Sequence, residues 1–291
     1  MGEPVLLRGA PIAQRIRDEV AADVAELIAR NIHPHLAFIR PATDGGAGAY
    51  AQSLRRSCEK TGIVYSEHLL PEPHRQQDLL DVIDRLRDDP HVTGVILHAP
   101  LSAPFDEAGA RERLGADLDV EGLHPEALGR LVRGAPRLVP CTAAAAWELL
   151  KVSGAPLAGR HLVIVGRSPS VGRALALLVL MEKQAPSVTV CHSVTADLPS
   201  LTRSADFLVV ATGTPSLIRG EMVRAGAVVI DVGTNMVMGA DGQEYLTGDV
   251  EFSSVAPRCS VITPVPGGVG PMTAALLLRN VVESARLQFP G

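Results

Sequence analysis

The sequence predicts an α/β fold of two domains, because short apolar runs rich in β-branched residues alternate with helical patterns from end to end. The chain has 291 residues, of which 46% are hydrophobic and only 3% aromatic. This length and composition suit helices packed on sheets better than an all-β sandwich. The regular alternation of the two patterns further predicts that the sheets are parallel.

Three strands are predicted in the first half of the chain and four in the second. They span residues 35–40, 63–70, 92–99, 161–166, 187–192, 206–211 and 227–232. Helices are expected near residues 12–31, 47–61 and 75–88, around Trp147, and from Pro271 toward Leu287. A break in the pattern at Val139-Pro140-Cys141-Thr142 predicts a domain boundary near residues 138–142.

Charge and cysteine usage exclude several classes of function. A net charge of −5 argues against binding to a phosphate backbone, and few aromatic residues remain for stacking on bases. The four cysteines lie far apart, with no C-x-x-C pair and no histidine at zinc-ligand spacing, so we predict neither a metal site nor disulfides. The N-terminus matches neither a signal peptide nor a myristoylation site, and we expect a cytoplasmic protein with no nucleic-acid or membrane partner.

A glycine-bearing turn lies between a predicted strand and a predicted helix in the second domain. Gly166 ends the strand and Gly172 opens the helix. Small residues at such a turn let the pyrophosphate of a dinucleotide approach the backbone amides, which predicts a Rossmann-like parallel sheet. Ser168 replaces the second glycine of the usual G-x-G-x-x-G pattern, so the turn by itself is equally compatible with a structural role.

The next strand of this domain ends in Cys191-His192-Ser193, without a carboxylate. An acidic residue at this place holds a bare ribose, and its absence removes the repulsion against a 2′-phosphate. Arg167 and Ser193 are candidates to bind that phosphate. The sequence therefore favours NADP over NAD, with NAD as the alternative.

A loop rich in proline and glycine, Ile262 to Thr273, leads into the last helix. Pro264, Gly267 and Gly268 belong to it, and such residues fix a loop shape that allows the backbone to approach a flat ligand closely. The alternative is an ordinary loop at the entry of a helix.

Four segments together resemble the bifunctional methylenetetrahydrofolate dehydrogenase/cyclohydrolase family. They are the helix from Tyr50 through Cys58 to Gly62-Ile63, the turn Gly166-Arg167-Ser168, the segment Asp231-Val-Gly-Thr234-Asn235, and the proline–glycine loop. The resemblance implies that the last helix returns to the first domain, giving domains of residues 1–138 plus 271–291 for the substrate and 139–270 for the dinucleotide. It also implies an active-site cleft between them, a homodimer joined through the cofactor domains, and cofactor contacts at Gly166, Arg167, Ser168, Ser193 and Thr234.

The chain departs from the family pattern where relatives do chemistry. Leu54 stands in place of the lysine of Tyr-x-x-x-Lys, His98 in place of a glutamine, and Glu121 in place of an aspartate. Ala143 likewise replaces a proline after Pro-Cys-Thr. The resemblance places Tyr50, His98 and Glu121 as catalytic residues and Tyr50, Leu54, Glu121, Pro264, Gly267 and Gly268 around a folate-type substrate.

Three functions remain open from these substitutions. The first is an NAD(P)-dependent 5,10-methylenetetrahydrofolate dehydrogenase with weak or no cyclohydrolase activity, because the resemblance assigns the hydrolytic proton transfers chiefly to the missing lysine. The second is a fully bifunctional enzyme in which His98 takes over that role, since histidine is a common general acid and base. The third is a specialised or non-catalytic binder of a folate-like ligand.

Overall fold

The computed structural model describes residues 3–42, 45–99, 101, 103–239 and 242–290. The chain forms two compact units. The first unit comprises Gln14–Val139 with Ala274–Gly291, and the second comprises Met1–Ala13 with Pro140–Thr273. The assignment of residues 1–13 to the first domain is therefore corrected. Val5 and Leu6 form a strand that pairs with Val261 and Ile262, and this pairing carries the N-terminus into the second unit.

Strands and helices alternate through both halves of the chain. Up to residue 139 they are β1 (Val5–Leu6), α1 (Ala10–Ala29), β2 (His35–Pro41), α2 (Gly45–Thr61), β3 (Val64–Leu70), α3 (Gln76–Asp88), β4 (Gly94–Leu97), α4 (Glu107–Leu114) and α5 (Pro125–Val132). From residue 140 onward they are α6 (Cys141–Val152), β5 (His161–Val165), α7 (Ala174–Leu180), β6 (Ser187–Cys191), α8 (Leu198–Arg203), β7 (Phe207–Val210), β8 (Val228–Asp231), β9 (Asn235–Met238), β10 (Glu244–Thr247), α9 (Phe252–Val255), β11 (Val261–Ile262) and α10 (Val269–Gln288). A π-helical turn, Pro169–Arg173, precedes α7.

The first unit is built on a parallel sheet of three strands in the order β3-β2-β4. Side chains alternate between the faces of β2, so Ala37 and Ile39 pack with Leu79 and Ile83 of α3 on one face. The chain beyond α4 extends this sheet, because Val95 of β4 pairs in parallel with Asp119. Polar residues near the ends of β2, β4 and this added segment therefore lie along one edge of the sheet.

The second unit contains a six-stranded parallel sheet in the order β1-β11-β8-β7-β5-β6. All residues of β7 and β8 are buried, as expected for central strands covered on both faces. Because both faces of these strands are buried, their sequences are continuous apolar runs rather than alternating apolar and polar residues. An antiparallel hairpin of β9 and β10 follows the sheet strand β8 in the chain.

Each predicted strand is present, with bounds that differ by a few residues. The largest difference is the strand expected at residues 92–99, of which only Gly94–Leu97 is strand. The last helix begins at Val269 rather than at Pro271, which lies in its first turn. The short strands β1 and β11 and the β9–β10 hairpin were not predicted, because two to four residues carry too little periodicity.

The described cysteines are all free and buried. Burial raises the pKa of the Cys58 thiol to about 12, as it does for Cys259, so both thiols stay protonated at neutral pH. Within the described ranges no three His, Cys, Asp or Glu side chains are grouped so that they could hold a metal ion. None of the helices described has both the length and the apolar character needed to cross a membrane.

Candidate functional site

A cavity of about 500 Å³ lies in the second unit, where β5, β6 and β7 end. Ligands of open α/β sheets bind outside the carboxyl ends of the strands, so this cavity lies where the fold predicts a ligand site. Its walls are formed by Val165, Gly166, Arg167, Ser168, His192, Ser193, Thr195, Leu198, Ala211, Thr212, Thr214 and Leu217. Four of the five predicted cofactor residues, Gly166, Arg167, Ser168 and Ser193, are thus brought together.

The turn after β5 leaves no room for side chains at its two glycines. Gly166 has a φ of +129°, and a Cβ atom there would lie 2.1 Å from the carbonyl oxygen of Ala211. A Cβ atom on Gly172 would lie 2.0 Å from the carbonyl oxygen of Gly166. Ser168 Oγ accepts a hydrogen bond of 3.2 Å from Val171 N and caps the π-helical turn. The turn is therefore compact backbone exposed to the cavity, which suits close approach by a phosphate group.

The side of the cavity formed after β6 is polar and lacks an acidic residue. His192 N donates a hydrogen bond of 2.8 Å to Thr195 Oγ1, which fixes the turn that carries Ser193. Among the described lining residues Arg167 is the one with a permanent charge, and no Asp or Glu joins them. This electrostatic setting favours an anionic ligand over a bare ribose diol.

Two buried aspartates support the opposite wall of the cavity. Asp249 Oδ2 accepts hydrogen bonds from Thr212 N at 2.5 Å and Gly213 N at 3.0 Å, and its Oδ1 accepts one from Asn235 Nδ2 at 2.8 Å. Asp231 in turn accepts hydrogen bonds from Asp249 N and Val250 N, each of 3.0 Å. Asp249 thus fixes the backbone after β7, and Asp231 fixes Asp249.

The sequence did not predict this support by Asp249 and Asp231, nor several of the lining residues. Ala211, Thr212 and Thr214 directly follow β7, so the rule that ligands bind at the carboxyl ends of parallel strands could have identified them. Asp231 lies within the quoted Asp231–Asn235 segment, but no local pattern indicates that its partner is Asp249, 18 residues away.

Thr234 does not line the cavity with the other predicted cofactor residues. It is exposed and lies between β8 and β9. The expected contact of Thr234 with the nucleotide therefore stays a prediction that the lining of the cavity does not support.

An aromatic cluster in the first unit joins two predicted catalytic residues. Tyr50 of α2 and His98, the residue after β4, have ring centroids 6.4 Å apart. Phe38 of β2 lies against both, with centroids 5.8 Å from Tyr50 and 5.7 Å from His98. Phe38 is fully buried and Tyr50 is 37% exposed, so the cluster presents the phenol at the surface of the unit.

Leu54 lies one helical turn after Tyr50 but is only 1% exposed. Its side chain is part of the core of the first unit, the environment in which leucine is most often found. A direct contact between Leu54 and substrate stays a prediction, and this burial weighs against it.

Glu121 is the third predicted catalytic residue, and it forms an ion pair with Arg111 of α4. It lies two residues beyond Asp119, which pairs with β4, so it is at the same edge of the sheet as His98. Burial raises the pKa of Glu121 to about 7, although Arg111 opposes this shift. The carboxyl group therefore exchanges its proton near neutral pH.

The proline–glycine loop in the second unit has the compact backbone that its composition predicts. Gly267 has a φ of +108°, and its carbonyl oxygen accepts a hydrogen bond of 2.9 Å from Gly9 N. A Cβ atom on Gly268 would lie 2.8 Å from the carbonyl oxygen of Pro264. The role of Pro264, Gly267 and Gly268 in binding substrate stays a prediction.

Comparisons with known proteins cover nearly the whole chain. Residues 140–289 match the family described as the tetrahydrofolate dehydrogenase/cyclohydrolase NAD(P)-binding domain, and residues 7–121 match the catalytic domain of the same name. The bifunctional protein FolD of Roseiflexus sp. (strain RS-1) is 43% identical over 286 residues, which is 98% of this chain and 97% of that protein. The bifunctional protein FolD 1 of Rubrobacter xylanophilus is 44% identical over 283 residues, or 97% of this chain and 98% of that protein.

Solved structures show the same fold over the full length. The Trypanosoma brucei methylenetetrahydrofolate dehydrogenase-cyclohydrolase, in complex with NADP and an inhibitor, has a TM-score of 0.93 and 33% identity, with all of both chains covered. A 5,10-methylenetetrahydrofolate dehydrogenase from the silkworm Bombyx mori has a TM-score of 0.91 and 31% identity, covering 98% of this chain and 99% of that one. The chain belongs to the tetrahydrofolate dehydrogenase/cyclohydrolase family.

Proposed function

We propose that the protein is an NADP-dependent 5,10-methylenetetrahydrofolate dehydrogenase whose cyclohydrolase activity is weak or lost. One observation carries the proposal: the nucleotide cavity is fully formed, whereas position 54 holds a buried leucine. Relatives over 40% identical across the full length are named bifunctional protein FolD, and both matching family models are described as tetrahydrofolate dehydrogenase/cyclohydrolase domains, which supports the folate substrate. The dehydrogenase and cyclohydrolase activities can be lost separately, because hydride transfer needs side chains that orient the substrate whereas hydrolysis needs side chains that transfer protons.

The cavity fits a nicotinamide dinucleotide on the evidence of its own residues. Gly166 lets the turn after β5 pack closely against the backbone of Ala211 at the cavity wall, and Arg167 supplies a positive charge without a competing carboxylate among the described lining residues. We propose that Arg167 and Ser193 bind the 2′-phosphate of NADP, with NAD as the alternative cofactor. The nicotinamide ring, when bound, accepts the hydride, and the protein's part is to orient it.

Oxidation of a methylene bridge to a methenyl bridge requires orientation above all. No proton has to be moved by the protein, since the electron pair and its hydrogen leave together as hydride. We propose that Glu121 holds the N–C–N edge of the folate and that Tyr50, the exposed member of the aromatic cluster, contacts the substrate. These roles need hydrogen bonds and shape, which the residues present can supply.

Hydrolysis of the methenyl group makes a different demand, since water must be activated and protons transferred. An aliphatic side chain at position 54 can do neither. Loss of a general acid or base costs on the order of two to four powers of ten in rate. The proposed enzyme therefore releases methenyl product faster than it hydrolyses it.

A second candidate function is full bifunctionality with His98 as the general base. The proximity of His98 to Tyr50, with ring centroids 6.4 Å apart, favours it, because an imidazole is a common general base and lies here beside the other proposed catalytic side chain. Replacement His98→Ala tests this candidate. A methenyl hydrolysis rate that is unchanged in that variant would contradict it.

A coupled spectroscopic assay tests the proposed function itself. Purified protein supplied with 5,10-methylenetetrahydrofolate and NADP should accumulate the absorbance of the methenyl product, with slower accumulation on NAD. If neither nucleotide yields methenyl product, the dehydrogenase proposal is wrong. Nucleotide binding in calorimetry without turnover would then favour the third candidate, a specialised binder of a folate-like ligand.

We also propose that the protein acts as a homodimer in the cytoplasm. Exposed apolar side chains on the β9–β10 hairpin, namely Met236, Met238 and Tyr245, support a contact through the second unit. Light scattering on the purified protein gives its mass in solution and tests the dimer.

A further inference from the structure

Arg111 of α4 is a buried guanidinium surrounded by three carboxylates. Only 7% of its side chain is exposed. Its Nη1 atom lies 2.9 Å from Asp119 Oδ1 and 3.2 Å from Glu121 Oε2, and its Nη2 atom lies 3.5 Å from Glu107 Oε1. A buried arginine is costly unless its hydrogen-bonding groups are paired, so this position needs its acidic partners.

Asp119 gives Arg111 a rigid anchor. Asp119 is fully buried, and its Oδ2 accepts hydrogen bonds from Leu123 N at 2.8 Å and His124 N at 2.6 Å. Its other oxygen, Oδ1, binds Arg111. Because Asp119 is fixed by the backbone on one side, the guanidinium that it binds on the other side is fixed as well.

Glu121 is the one partner of Arg111 that belongs to the proposed substrate site. Its side chain is 27% exposed, and its backbone neighbour is held by Asn280 Nδ2, which donates a hydrogen bond of 2.8 Å to the carbonyl oxygen of Val120. The backbone before Glu121 is thus fixed by α10, whereas the long glutamate side chain is fixed by Arg111. A glutamate without such a partner would lose the freedom of rotation about several side-chain bonds when substrate binds, at a cost in conformational entropy.

We propose that Arg111 is a positioning residue: it transmits the fixed position of Asp119 to the Glu121 carboxylate, so that Glu121 meets the substrate already oriented. This inference rests on the proposed function, in which Glu121 contacts the folate. Arg111 does not itself touch the substrate. Its contribution is preorganisation, which appears as tighter substrate binding without any new contact.

The charges around Glu121 give the inference two opposite signatures. Burial raises the pKa of Glu121 to about 7, Arg111 lowers it, and Asp119 and Glu107 raise it. Substrate affinity should increase with pH as the Glu121 carboxyl group loses its proton. Removing Arg111 should raise the pKa of Glu121 and therefore shift this increase toward higher pH. Removing the charge of Glu107 should shift it toward lower pH. A residue that acted only through folding would not produce shifts of opposite sign.

The experiment uses Arg111→Met and Glu107→Gln, each in the wild-type and in the Glu121→Gln background. The readouts are KM for methylenetetrahydrofolate and the pH profile of kcat/KM. In the wild-type background Arg111→Met should raise KM about tenfold at pH 7. In the Glu121→Gln background both the KM effect and the two pH shifts should vanish, because the group through which Arg111 acts is gone.

Arg113→Met is the matched control. Arg113 lies on the same helix and pairs with Asp84 at 2.7 Å, but over half of its side chain is exposed. This variant should leave KM and the pH profile unchanged. Circular dichroism and the Kd for NADP check that each variant is folded, and Glu107→Gln keeps the test decisive if Arg111→Met does not fold.

The inference would be overturned if Arg111→Met raised KM by the same factor in the wild-type and the Glu121→Gln backgrounds. It would also be overturned if Glu107→Gln shifted the pH profile of kcat/KM toward higher pH or left it unchanged. The proposed function fails separately, by absence of turnover in the wild type. In that case calorimetric binding of tetrahydrofolate across the same pH range replaces KM, and equal affinities in wild type and Arg111→Met overturn the inference. If the wild-type protein does not bind tetrahydrofolate, both ideas fail.

Discussion

The nucleotide cavity and the Tyr50–His98–Glu121 region differ in how they make their contacts. The cavity wall includes the backbone of the turn after β5, where a Cβ atom on Gly166 would collide with the carbonyl oxygen of Ala211. The Tyr50–His98–Glu121 region presents side chains, and the departures from the family pattern that the sequence predicts, at positions 54, 98 and 121, fall in or beside it. A site made of backbone permits few substitutions, whereas a site made of side chains can change one chemical step and keep another.

Gly166→Ala should have the largest effect of these substitutions, and it should weaken nucleotide binding without a comparable effect on the Tyr50–His98–Glu121 region. The new methyl group would lie 2.1 Å from the carbonyl oxygen of Ala211, in a backbone conformation that L-residues rarely adopt. We expect the Kd for NADP to rise by at least about a hundredfold, as measured by calorimetry. Binding of tetrahydrofolate should be affected far less.

Gly154→Ala is the control for backbone strain alone. Gly154 also has a positive φ, of +80°, but a Cβ atom there meets nothing within 4 Å. This variant should cost about 1 kcal/mol of stability and leave NADP affinity in place. Equal loss of NADP binding in both variants would show that strain, and not the closed cavity wall, explains the first result.

Asp231 should make the second unit less stable as pH rises. Burial raises its pKa from 3.8 to about 6, so the folded protein binds the proton more tightly than the unfolded chain does. The stabilisation is fully present below pH 3.8 and is lost as pH rises through about 6. Relative to Asp231→Asn, the wild type should lose roughly 3 kcal/mol over this range. Urea unfolding of both proteins at pH 4 and pH 7 measures this difference in the free energy of unfolding. A wild type that becomes more stable relative to Asp231→Asn as pH rises would contradict the prediction.

Leu54→Lys tests the proposal that the dehydrogenase and cyclohydrolase activities have separated. An amine one turn from Tyr50 can exchange protons, and burial at this site lowers its pKa toward neutrality. We expect methenyl hydrolysis to rise about tenfold or more, with the melting temperature lowered by several degrees because a charge is buried.

Leu54→Met keeps the volume without adding an amine, and it should gain no hydrolysis. A wild-type enzyme that already hydrolyses its methenyl product as fast as it forms it would show that Leu54 does not separate the activities.

Arg167→Ala should give the smallest of these effects, because it removes one charged hydrogen bond. We expect the KM for NADP to rise about tenfold while the KM for NAD changes little. Arg173→Ala is the matched control, since Arg173 belongs to the same turn but does not line the cavity. An equal rise in the KM values for NADP and NAD would show that Arg167 does not bind the 2′-phosphate.

Much of the fold follows from local pattern. The strands with four or more strongly apolar residues, such as β5 and β7, are visible in the sequence because complete burial leaves a continuous apolar run. The two-residue strands β1 and β11 are not visible, since their pairing depends on partners 256 residues apart, as with Val5 and Val261. The site divides in the same way, because the turn at Gly166 is local and the support of Thr212 by Asp249 is not.

The sequence by itself determined that the chain is α/β, that it carries a glycine-bearing turn between a strand and a helix, and that position 54 has no ionisable group. These are properties of residue type and of spacing within one element. Tertiary structure alone decided that Leu54 is buried, that residues 1–13 belong to the second unit, and that Arg111 bridges Asp119 and Glu121. Each of these depends on which distant residues meet, because burial and electrostatics are set by neighbours in space rather than in sequence.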